Sequence, residues 1–454
     1  MQEIAVYLPS GKILVVPYGT RINQIVRDDE FDAISQPIVA AMVNNELVSL
    51  SFKVEVNASV QPVTLDSPQG TGIYRRSLAF VLAMAVEELY PDRRLVIGHS
   101  LGDGYFYYFD GASETDPEEI ASIDRKMREL VEADMPIQRQ VLSYCNATQH
   151  IEQTNQSGTA LLLKYRNESK IPMYVCGKYL DLSHGPLADR TGILTCFEIL
   201  PYGLGFLLRY PSRMNPMSIE PFTDNKLLFS VYTEYKAWGK ILGVSCVGSL
   251  NELIEQKKIA DFVRTAEALH DKKIAEIADR IFERKEDVRV VLIAGPSSSG
   301  KTTFTKKLAV QLRVLGFNPL TISLDDYFLP RDRTPKDEEG NYDFEALEAI
   351  DVELLNNHLL ELFRGREIDL PVFDFKTGDR KQNGKKLRLP PNGILLMEGI
   401  HGLNDRLTPL VEPGRKYKIY VSALTQLNLD EHNRIPTTDN RLIRRIVRDF
   451  QFRG

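Results

Sequence analysis

The sequence predicts a multidomain α/β protein in which two α+β domains precede a parallel β-sheet covered by helices. A chain of 454 residues is too long for one ordinary hydrophobic core, so about two to four domains are expected. The first 213 residues mix alternating strand patterns, tight turns and amphipathic helices. From residue 286 onward, continuous apolar strands alternate with helices, which is typical of a parallel sheet buried on both faces.

The first 213 residues predict two domains, over residues 1–62 and 63–213. In the first, "EIAVYLPSGKILVVPYG" has two alternating runs around a "PSGK" turn, which predicts a β-hairpin. A short polar helix and a second tight turn at "VNNE" are expected to follow. In the second, "YRRSLAFVLAMAVEELYP" has helical apolar spacing and ends at Pro91. The aromatic "GYFYYF" predicts a strand, and "DPEEIASIDRKMREL" predicts a charged helix.

The C-terminal part, residues 286–454, follows a polar, strongly helical stretch over residues 214–285 that we interpret as a connector. Four buried strands are predicted at "RVVLIAG", "NPLTISLDD", "NGILLMEG" and "RKYKIYVSA". Helices are predicted over "GKTTFTKKLAVQLRVLG" and over the whole of "FEALEAIDVELLNNHLLELFRG". This order predicts a parallel sheet with helices on both faces.

The composition is that of a globular protein with a net charge of −6, 43% hydrophobic and 26% charged residues. A protein that coats nucleic acid through bulk charge is expected to be basic, so that class is excluded, while a local basic face stays open. The N-terminus has no signal-peptide pattern, and no apolar run approaches the roughly 18 residues of a membrane span. A cytoplasmic location without membrane contact is therefore expected.

The segment "GPSSSGKTT", residues 295–303, contains the P-loop pattern between a predicted strand and a predicted helix. Glycines in such a loop let backbone N–H groups turn toward phosphate oxygens, and the helix N-terminus adds partial positive charge. The lysine of the pattern reaches the β- and γ-phosphates, and the hydroxyl after it ligates Mg²⁺. The residues predicted to bind ATP here are Gly295, Pro296, Ser297, Ser298, Ser299, Gly300, Lys301, Thr302 and Thr303.

Acidic residues follow two neighbouring strands of the predicted sheet. Asp325 and Asp326 end "TISLDD", and Glu398 ends "ILLME". Ligands of open parallel sheets bind at the carboxyl ends of the strands, where these side chains are expected to meet. Phosphoryl transfer requires one carboxylate near the acceptor hydroxyl and another near the metal. The alternative, that these acids cap the helices that follow, stays open.

Residues 288–454 resemble the uridine kinase and phosphoribulokinase family through "GPSSSGKTT", "LDDYF", "NYDFEALEAID", "LPVFDF", "LLMEGI" and "DNRLIRRIVRDFQFRG", in that family's order. The resemblance implies ATP and Mg²⁺ as cofactors, Asp325 as the general base, and Thr302 and Glu398 around the metal. Lys301 would stabilise the transferred phosphate. Residues implied near the acceptor are Asp343, Phe373, Phe375, Arg380 and Arg441, and those implied to close over the triphosphate are Arg444 and Arg448. A solvated or RNA-facing role for this arginine cluster stays open.

Two features depart from the family pattern. Uridine kinases carry a pyrimidine-reading histidine where this chain has Gly378, and Phe373 stands where a tyrosine is usual. A lost hydrogen-bonding group can cost several orders of magnitude in base discrimination, so uridine as the acceptor is in doubt. The family pattern also continues past "RDFQFRG", so the kinase domain is expected to be either truncated at Gly454 or unusually short.

Residues 1–62 resemble a TGS domain, and residues 63–213 resemble the editing domain that follows it in threonyl-tRNA synthetases. The second resemblance lies in "GIYRRSLAFVLAMAVEELYP", "VIGHSLGDGYFYYFD" and "YLDLSHGPLADRTG". That domain works through an HxxxH pair and a Cys–His pair, whose positions fall here on Arg76, Phe80, Ser183 and Leu187. Such residues cannot replace metal-binding or acid–base imidazoles, so the editing fold is predicted without its hydrolytic chemistry. His99 and His184 lie at other positions and are expected to be structural or on the surface.

The combined interpretation is a kinase that transfers the γ-phosphate of ATP to a hydroxyl, with the 5′-OH of a nucleoside as the favoured acceptor. A sugar-phosphate kinase of the phosphoribulokinase type and an ATP-switched RNA-binding or regulatory protein stay open. An aminoacyl-tRNA deacylase is a distant third. For the N-terminal half, an oligomerisation platform, sensing of a nucleotide or amino acid, and contact with RNA stay open, as does the oligomeric state.

Overall fold

The computed structural model describes residues 2–112, 114–154, 156–425 and 427–452, and the chain forms two compact units. The N-terminal unit comprises Met1–Ile259 together with Gln426–Ile435. The C-terminal unit comprises Ala260–Thr425 together with Pro436–Gly454. Within the described residues, no helix has the length and apolar character that a membrane span requires.

The N-terminal unit combines helices with short sheets that are antiparallel except for the parallel pair of strands Glu3–Tyr7 and Ala58–Thr64. Its strands are β1 (Glu3–Tyr7), β2 (Ile13–Pro17), β3 (Thr20–Arg21), β4 (Ile38–Val43), β5 (Glu46–Ser49), β6 (Lys53–Val54), β7 (Ala58–Thr64), β8 (Leu95–Ser100), β9 (Gly104–Phe109), β10 (Gln138–Ser143), β11 (Lys170–Cys176), β12 (Tyr179–Asp181), β13 (Glu198–Tyr202) and β14 (Gly205–Arg209). Its helices are α1 (Ile22–Ile25), α2 (Pro68–Leu89), α3 (Pro117–Glu132), α4 (Tyr144–Gln153), α5 (Ser157–Lys164), α6 (Lys226–Leu242) and α7 (Val247–Glu255).

The first sheet has the order β2-β1-β7-β4-β5 and contains both turns predicted from the sequence. β1 and β2 form the antiparallel hairpin around "PSGK". β4 and β5 are joined by Asn44 and Asn45, both with positive φ, a conformation that asparagine tolerates. The second sheet, β13-β14-β9-β8, carries the predicted aromatic strand as β9. α2 packs its long apolar run into the core of this part of the unit.

The C-terminal unit is built on one parallel sheet. Its helices are α8 (Ile259–Phe282), α9 (Lys301–Val314), α10 (Val352–Phe363) and α11 (Thr437–Phe452), and its strands are β15 (Val290–Ala294), β16 (Asn318–Ser323), β17 (Glu367–Asp374), β18 (Asp379–Arg388), β19 (Gly393–Glu398) and β20 (Lys416–Tyr420). The sheet order is β16-β19-β15-β20, with every pair parallel, and β17–β18 is a separate hairpin. β15 and β19 are buried on both faces, which explains their continuous apolar sequences.

The predicted connector over residues 214–285 is divided between the units. α6 and α7 pack within the N-terminal unit, whereas almost all of α8 belongs to the C-terminal unit. Ile274, Ala278 and Ile281 of α8 are buried in the hydrophobic core against β15 and α9. The prediction that residues 214–285 are helical therefore agrees with the structure. However, α8 is not a connector, because its apolar face packs in the core of the C-terminal unit.

The prediction of one continuous helix over residues 344–365 was wrong, because the α-helix covers only Val352–Phe363 and a separate 3₁₀ turn covers Leu347–Ala349. Asp351 caps α10, since its carboxylate accepts a hydrogen bond from the backbone N–H of Leu354 at 3.0 Å. The preceding residue, Ile350, forms a β-bridge with Phe328. The apolar residues before Asp351 have helical spacing, but this pairing with Phe328 holds the backbone at Ile350 in an extended conformation, so the α-helix begins only after Asp351.

Candidate active site

The P-loop joins β15 to α9, and its backbone requires glycine at two positions. Gly300, directly before α9, has a φ of +99°, in the left-handed region. A Cβ on Gly295 would lie 2.0 Å from the carbonyl oxygen of Val421, so no side chain fits there. The hydroxyls of Ser298 and Ser299 are buried and have no hydrogen-bond partner among the described residues. Buried polar atoms need partners, and the oxygens of a bound polyphosphate fit this set of donors.

Lys301 is the first residue of α9, and its ammonium group folds back onto the loop. Nζ donates hydrogen bonds to the carbonyl oxygens of Gly295 at 2.8 Å and Pro296 at 3.3 Å. Burial lowers the pKa of Lys301, while the charges of Glu398 and Asp325 oppose that shift. The structure thereby holds a positive charge beside the loop, together with two carboxylates.

Thr302 and Glu398 meet at the carboxyl edge of the sheet, where Thr302 Oγ1 donates a hydrogen bond to Glu398 Oε1 at 2.8 Å. Glu398 is the last residue of β19, and its register with Ile293 and Ser323 places it where β15 and β16 also end. A hydroxyl and a carboxylate are oxygen ligands of the kind that Mg²⁺ takes, with phosphate and water oxygens at its other positions. The described part of the chain contains no group of three or more His, Cys, Asp or Glu side chains that could hold a metal ion.

Asp325 and Asp326 lie in the 3₁₀ turn Leu324–Tyr327, directly after β16. Burial raises the pKa of Asp325, Glu398 raises it further, and Lys301 lowers it, so these three charges act on one another. Asp326 instead accepts a weak hydrogen bond from the backbone N–H of Phe373 at 3.4 Å, which ties the turn to β17. Since no hydrogen bond to the Asp325 carboxylate occurs within the described residues, this is the carboxylate that a ligand can use.

α11 brings two of the predicted arginines to the P-loop. Nε of Arg441 and Nε of Arg444 donate hydrogen bonds to the carbonyl oxygens of successive loop serines, at 3.2 and 3.0 Å. Arg448 is paired with Asp449 of the same helix at 2.8 Å. Arg441, which was predicted near the acceptor, therefore lies against the loop beside Arg444, in the position predicted for residues that close over the triphosphate.

The residues predicted around the acceptor differ in exposure. Phe375 is 61% exposed, whereas Phe373 is 7% exposed and packs in the core, with its ring centroid 5.1 Å from that of Phe375. Arg380 donates to two backbone carbonyls and pairs with Asp351 at 3.0 Å, so its donors hold the hairpin in place. Asp343 accepts two backbone N–H bonds through Oδ1 alone. Phe375 and Asp343 thus keep surface for a ligand, and acceptor contacts by Phe373 and Arg380 stay predictions.

Arg331 lies next to Gly378, and no sequence pattern singles it out. Its backbone N–H donates to the Gly378 carbonyl at 2.9 Å, and a Cβ on Gly378 would lie 2.7 Å from Arg331 Nε. Gly378 also has a φ of +73°. The guanidinium therefore lies over the glycine that replaces the pyrimidine-reading histidine. Within the described residues no carboxylate lies within ion-pair distance of Arg331. Arg333 has a similar sequence context, so the sequence alone does not distinguish the two arginines.

In the N-terminal unit, the four positions of the editing-like site are occupied by side chains that serve the fold. Arg76 donates from Nε and Nη2 to the carbonyl oxygen of Pro186, at 3.3 and 3.2 Å. Phe80 packs edge-to-face on Tyr179, and both Phe80 and Leu187 are buried in one hydrophobic core. Ser183 donates to a nearby backbone carbonyl at 2.9 Å. This arrangement offers no imidazole or thiol at these positions.

The two nearby histidines are also engaged. His99 stacks on Tyr232 with ring centroids 4.0 Å apart, and burial, with help from Arg434 and Lys236, lowers its pKa to about 3. His184 lies with Nε2 3.1 Å from a carboxylate oxygen of Asp430. These contacts agree with the structural roles expected for both histidines.

Comparison with known proteins assigns the two halves of the chain. Residues 290–454 match the model of the Phosphoribulokinase / Uridine kinase family, so the C-terminal part is a domain of that family. The N-terminal half matches threonine–tRNA ligases, with 29% identity over 195 residues for that of Coxiella burnetii and 32% over 194 residues for that of Rubrobacter xylanophilus. Each match covers 43% of this chain and 30% of the ligase, so the chain spans less than a third of these relatives. Both resemblances predicted from the sequence are confirmed.

Solved kinase structures overlap with part of the chain. A putative fructose transport system kinase from Silicibacter sp. TM1040 is 17% identical, covering 38% of this chain and 81% of its own, with a TM-score of 0.27. A possible uridine kinase from Bacillus stearothermophilus is 22% identical, covering 33% of this chain and 80% of its own, with a TM-score of 0.26.

Proposed function

We propose that this chain, whose C-terminal part is a domain of the phosphoribulokinase/uridine kinase family, is an ATP- and Mg²⁺-dependent kinase that phosphorylates a hydroxyl of a small molecule. The favoured acceptor is the 5′-OH of a nucleoside. The observation that carries the proposal is the placement of Lys301, Glu398 and Asp325 at one edge of the parallel sheet, where each charge acts on the others. One carboxylate beside the P-loop threonine and another free for an acceptor is the arrangement that phosphoryl transfer requires.

ATP would bind with its phosphates along the P-loop. The loop amides, the Ser298 and Ser299 hydroxyls and Lys301 would contact phosphate oxygens, with Arg444 closing from α11. Thr302 and Glu398 would hold Mg²⁺, which neutralises charge on the β- and γ-phosphates when it is bound. Catalysis then depends on position and electrostatics, because the protein forms no covalent bond with the phosphoryl group.

Asp325 would accept the proton of the acceptor hydroxyl. Its raised pKa makes the carboxylate a stronger base than an exposed aspartate, and the absence of hydrogen bonds among the described residues leaves both oxygens available. Asp343 offers Oδ2 for hydroxyls of the acceptor, and the exposed ring of Phe375 offers a stacking surface.

One observation favours a second acceptor class, a sugar phosphate. Arg331 lies over Gly378 without a carboxylate partner in the described structure, so it brings an unpaired positive charge to the place of the base-reading histidine. A guanidinium binds phosphate through paired hydrogen bonds, whereas on the uracil edge it can donate to a carbonyl oxygen but cannot accept from the imide N–H.

A panel of nucleosides, ribulose 5-phosphate and an acceptor-free control, with ATP consumption as the readout, separates the two acceptor classes. We expect turnover of one nucleoside with less than about a threefold change in Arg331→Ala. If a sugar phosphate turns over instead, Arg331→Ala should raise its KM on the order of tenfold or more, since a charge-assisted bidentate contact is lost. ATP consumption without any acceptor being phosphorylated would contradict both forms of the proposal.

Arg444→Ala is expected to raise KM for ATP about tenfold and change kcat less than threefold, because the side chain closes on the loop without touching the acceptor. Arg445→Ala is the matched control, since Arg445 is 60% exposed at its side chain and pairs only loosely, at 3.6 Å, with Asp449 of its own helix. Steady-state kinetics with varied ATP measure both variants. Equal KM values for the two would contradict a role of Arg444 at the nucleotide.

A further inference from the structure

The N-terminal unit contains three partly buried arginine side chains that have no carboxylate partner among the described residues. Arg75 and Arg76 lie on α2, and Arg434 lies in the stretch of residues 427–435 that belongs to the same unit. By contrast, Arg93 of this unit pairs with Glu119 at 2.8 Å. Burial of a charged group is costly unless an opposite charge accompanies it. Three unpaired guanidinium groups within one domain therefore require an explanation.

Two tyrosines bring these arginines together. The rings of Tyr105 and Tyr210 meet edge-to-face, with centroids 5.3 Å apart. Cζ of Arg75 lies 4.4 Å from the ring centroid of Tyr210, and Cζ of Arg434 lies 5.3 Å from that of Tyr105. Tyr105 also interacts electrostatically with Arg76. Contacts with aromatic rings attract a guanidinium but do not neutralise it. Arg75, Arg76 and Arg434, named here the arginine cluster, therefore concentrate positive charge around the tyrosine pair.

The guanidinium of Arg76 is held in place with one nitrogen left over. Nε and Nη2 donate to the Pro186 carbonyl, whereas Nη1 has no acceptor among the described residues. A Cβ on Gly185 would lie 3.0 Å from Arg76 Cζ, so this glycine makes room for the guanidinium. Burial lowers the pKa of Arg76, and only the tyrosines Tyr174 and Tyr105 oppose that shift. A guanidinium that has lost hydration without gaining a carboxylate is suited to bind an added anion.

Two buried polar atoms beside the cluster also lack a partner within the described residues. They are the hydroxyl of Tyr107, whose side chain is 1% exposed, and Nε of Arg75. Tyr107 lies on the same side of β9 as Tyr105, and its hydroxyl interacts electrostatically with Arg434. Buried polar atoms need partners, and an O–H and an N–H can both donate to an anion. These orphaned donors indicate a ligand with several acceptor oxygens.

We propose that the arginine cluster binds the phosphate group of a small phosphorylated molecule, with Arg76 and Arg434 donating to the phosphate oxygens. A phosphate monoester carries about 1.5 to 2 negative charges at pH 7, so it matches three guanidinium groups better than a carboxylate does. Arginines that contact an RNA backbone form an exposed basic surface, whereas these are partly buried, which favours a small ligand.

This inference does not depend on the proposed kinase activity, because every residue that carries it lies in the N-terminal unit. Arg76 also occupies the position of the first histidine of the HxxxH pair in editing domains. The same place in the fold would thus hold an anion in this chain, although the residues for hydrolysis are absent.

Chemical modification of arginine tests the proposal at the site itself. The full chain is treated with phenylglyoxal alone or together with inorganic phosphate, pyrophosphate or AMP, and peptide mass spectrometry follows Arg76 and Arg434. We expect at least one of the three compounds to slow modification of both arginines about tenfold at ten times its Kd, since roughly one site in eleven then stays free. Arg125, an exposed residue of α3, is the internal control and should be modified at the same rate throughout.

Calorimetric titration of variants measures the contribution of each arginine. All variants carry Lys301→Ala, which weakens phosphate binding at the P-loop. Arg434→Ala is expected to raise Kd for the protective compound on the order of tenfold, as for a lost charge-assisted contact. Arg434→Lys keeps the charge but loses the planar fork, so its Kd should lie between the two. Arg125→Ala should leave Kd unchanged. Arg76→Ala should resemble Arg434→Ala, and the modification experiment needs no variant should either substitution prevent folding.

Protection of neither arginine by any of the three compounds would overturn the proposal, even if the compounds bind at another site such as the P-loop. Protection of both arginines by a short single-stranded RNA, with none by the small phosphates, would overturn it in favour of an RNA contact. A chain whose arginines are protected but which phosphorylates no acceptor counts against the kinase proposal alone. An active kinase without this protection counts against the phosphate site alone.

Discussion

Replacement of Lys301 by alanine is expected to lower kcat/KM for phosphoryl transfer on the order of 10³-fold, which corresponds to about 4 kcal/mol of transition-state stabilisation. Nζ is held beside the loop by two carbonyl oxygens, at 2.8 and 3.3 Å, and is therefore placed for the charge that develops on the transferred phosphate. The loop amides and Arg444 stay in place in the variant and account for residual ATP binding. ADP formation in the presence of a turned-over acceptor measures the loss.

Lys306→Ala is the matched control for this prediction, because it removes the same side chain from an exposed position of the same helix. Its kcat/KM should lie within about twofold of that of the unmodified chain, as for most surface substitutions. Circular dichroism of both variants separates loss of chemistry from loss of fold. A Lys301→Ala chain with more than a third of the original activity would mean that the transferred phosphate does not lie on this loop.

The P-loop could be predicted from the sequence because its geometry is encoded in nine contiguous residues between a strand and a helix. Gly300 is needed because of its positive φ, and Gly295 because the Val421 carbonyl approaches it closely, while Lys301 and Thr302 stand at the fixed spacing of the motif. Asp325 and Glu398 could be placed as well, since the carboxyl ends of adjacent parallel strands share one edge. Local patterns and one rule of sheet topology were sufficient for this half of the site.

The acceptor side depends on contacts that no local pattern carries. Arg380 has the sequence context of a ligand-binding residue, yet the structure joins its donors to Asp351 and to two backbone carbonyls 52 and 53 residues away. Arg331 is brought to Gly378, 47 positions later in the sequence, by a backbone hydrogen bond. Tertiary packing determines that Arg380 holds the fold and that Arg331 is available to a ligand. Sequence spacing alone cannot distinguish these two roles.

The residues between β20 and α11 show the same limit on a larger scale. Their sequence, "NLDEHNRI" at residues 428–435, has the polar character of an ordinary surface loop. Their partners lie hundreds of residues earlier, with a sequence separation of 272 between Glu431 and Thr159 and of 251 between His432 and Asp181. Buried acids are expensive unless they are paired. Burial of Glu431 depends on the distant N–H donors of α5, whereas Asp430 also accepts from the nearby backbone N–H groups of His432 and Asn433. Sequence patterns therefore did not show that residues 427–435 belong to the N-terminal unit.

Asp325→Asn is expected to lower kcat between about 10² and 10⁴-fold, the range for loss of a general base, while the Kd for an ATP analogue changes less than threefold. The carboxylate must be ionised to accept a proton. Because burial and Glu398 raise its pKa, activity of the unmodified chain should increase as the pH rises through that raised value and should fall below it. The asparagine variant should lack this rise. Asp326→Asn, an identical change one residue away, should retain activity within about threefold, since the amide oxygen can still accept from Phe373.

Lys301→Ala and Asp325→Asn together decide between a kinase and a nucleotide-switched regulatory protein. A switch needs ATP binding but no proton transfer, so Lys301→Ala would remove its biological effect and Asp325→Asn would preserve it. A kinase loses its effect in both. Among the described residues the Asp325 carboxylate accepts no hydrogen bond, and its charge acts on those of Lys301 and Glu398, an arrangement that a pure switch does not need. The proposed acceptor hydroxyl would account for this arrangement, and we therefore expect both variants to be inactive.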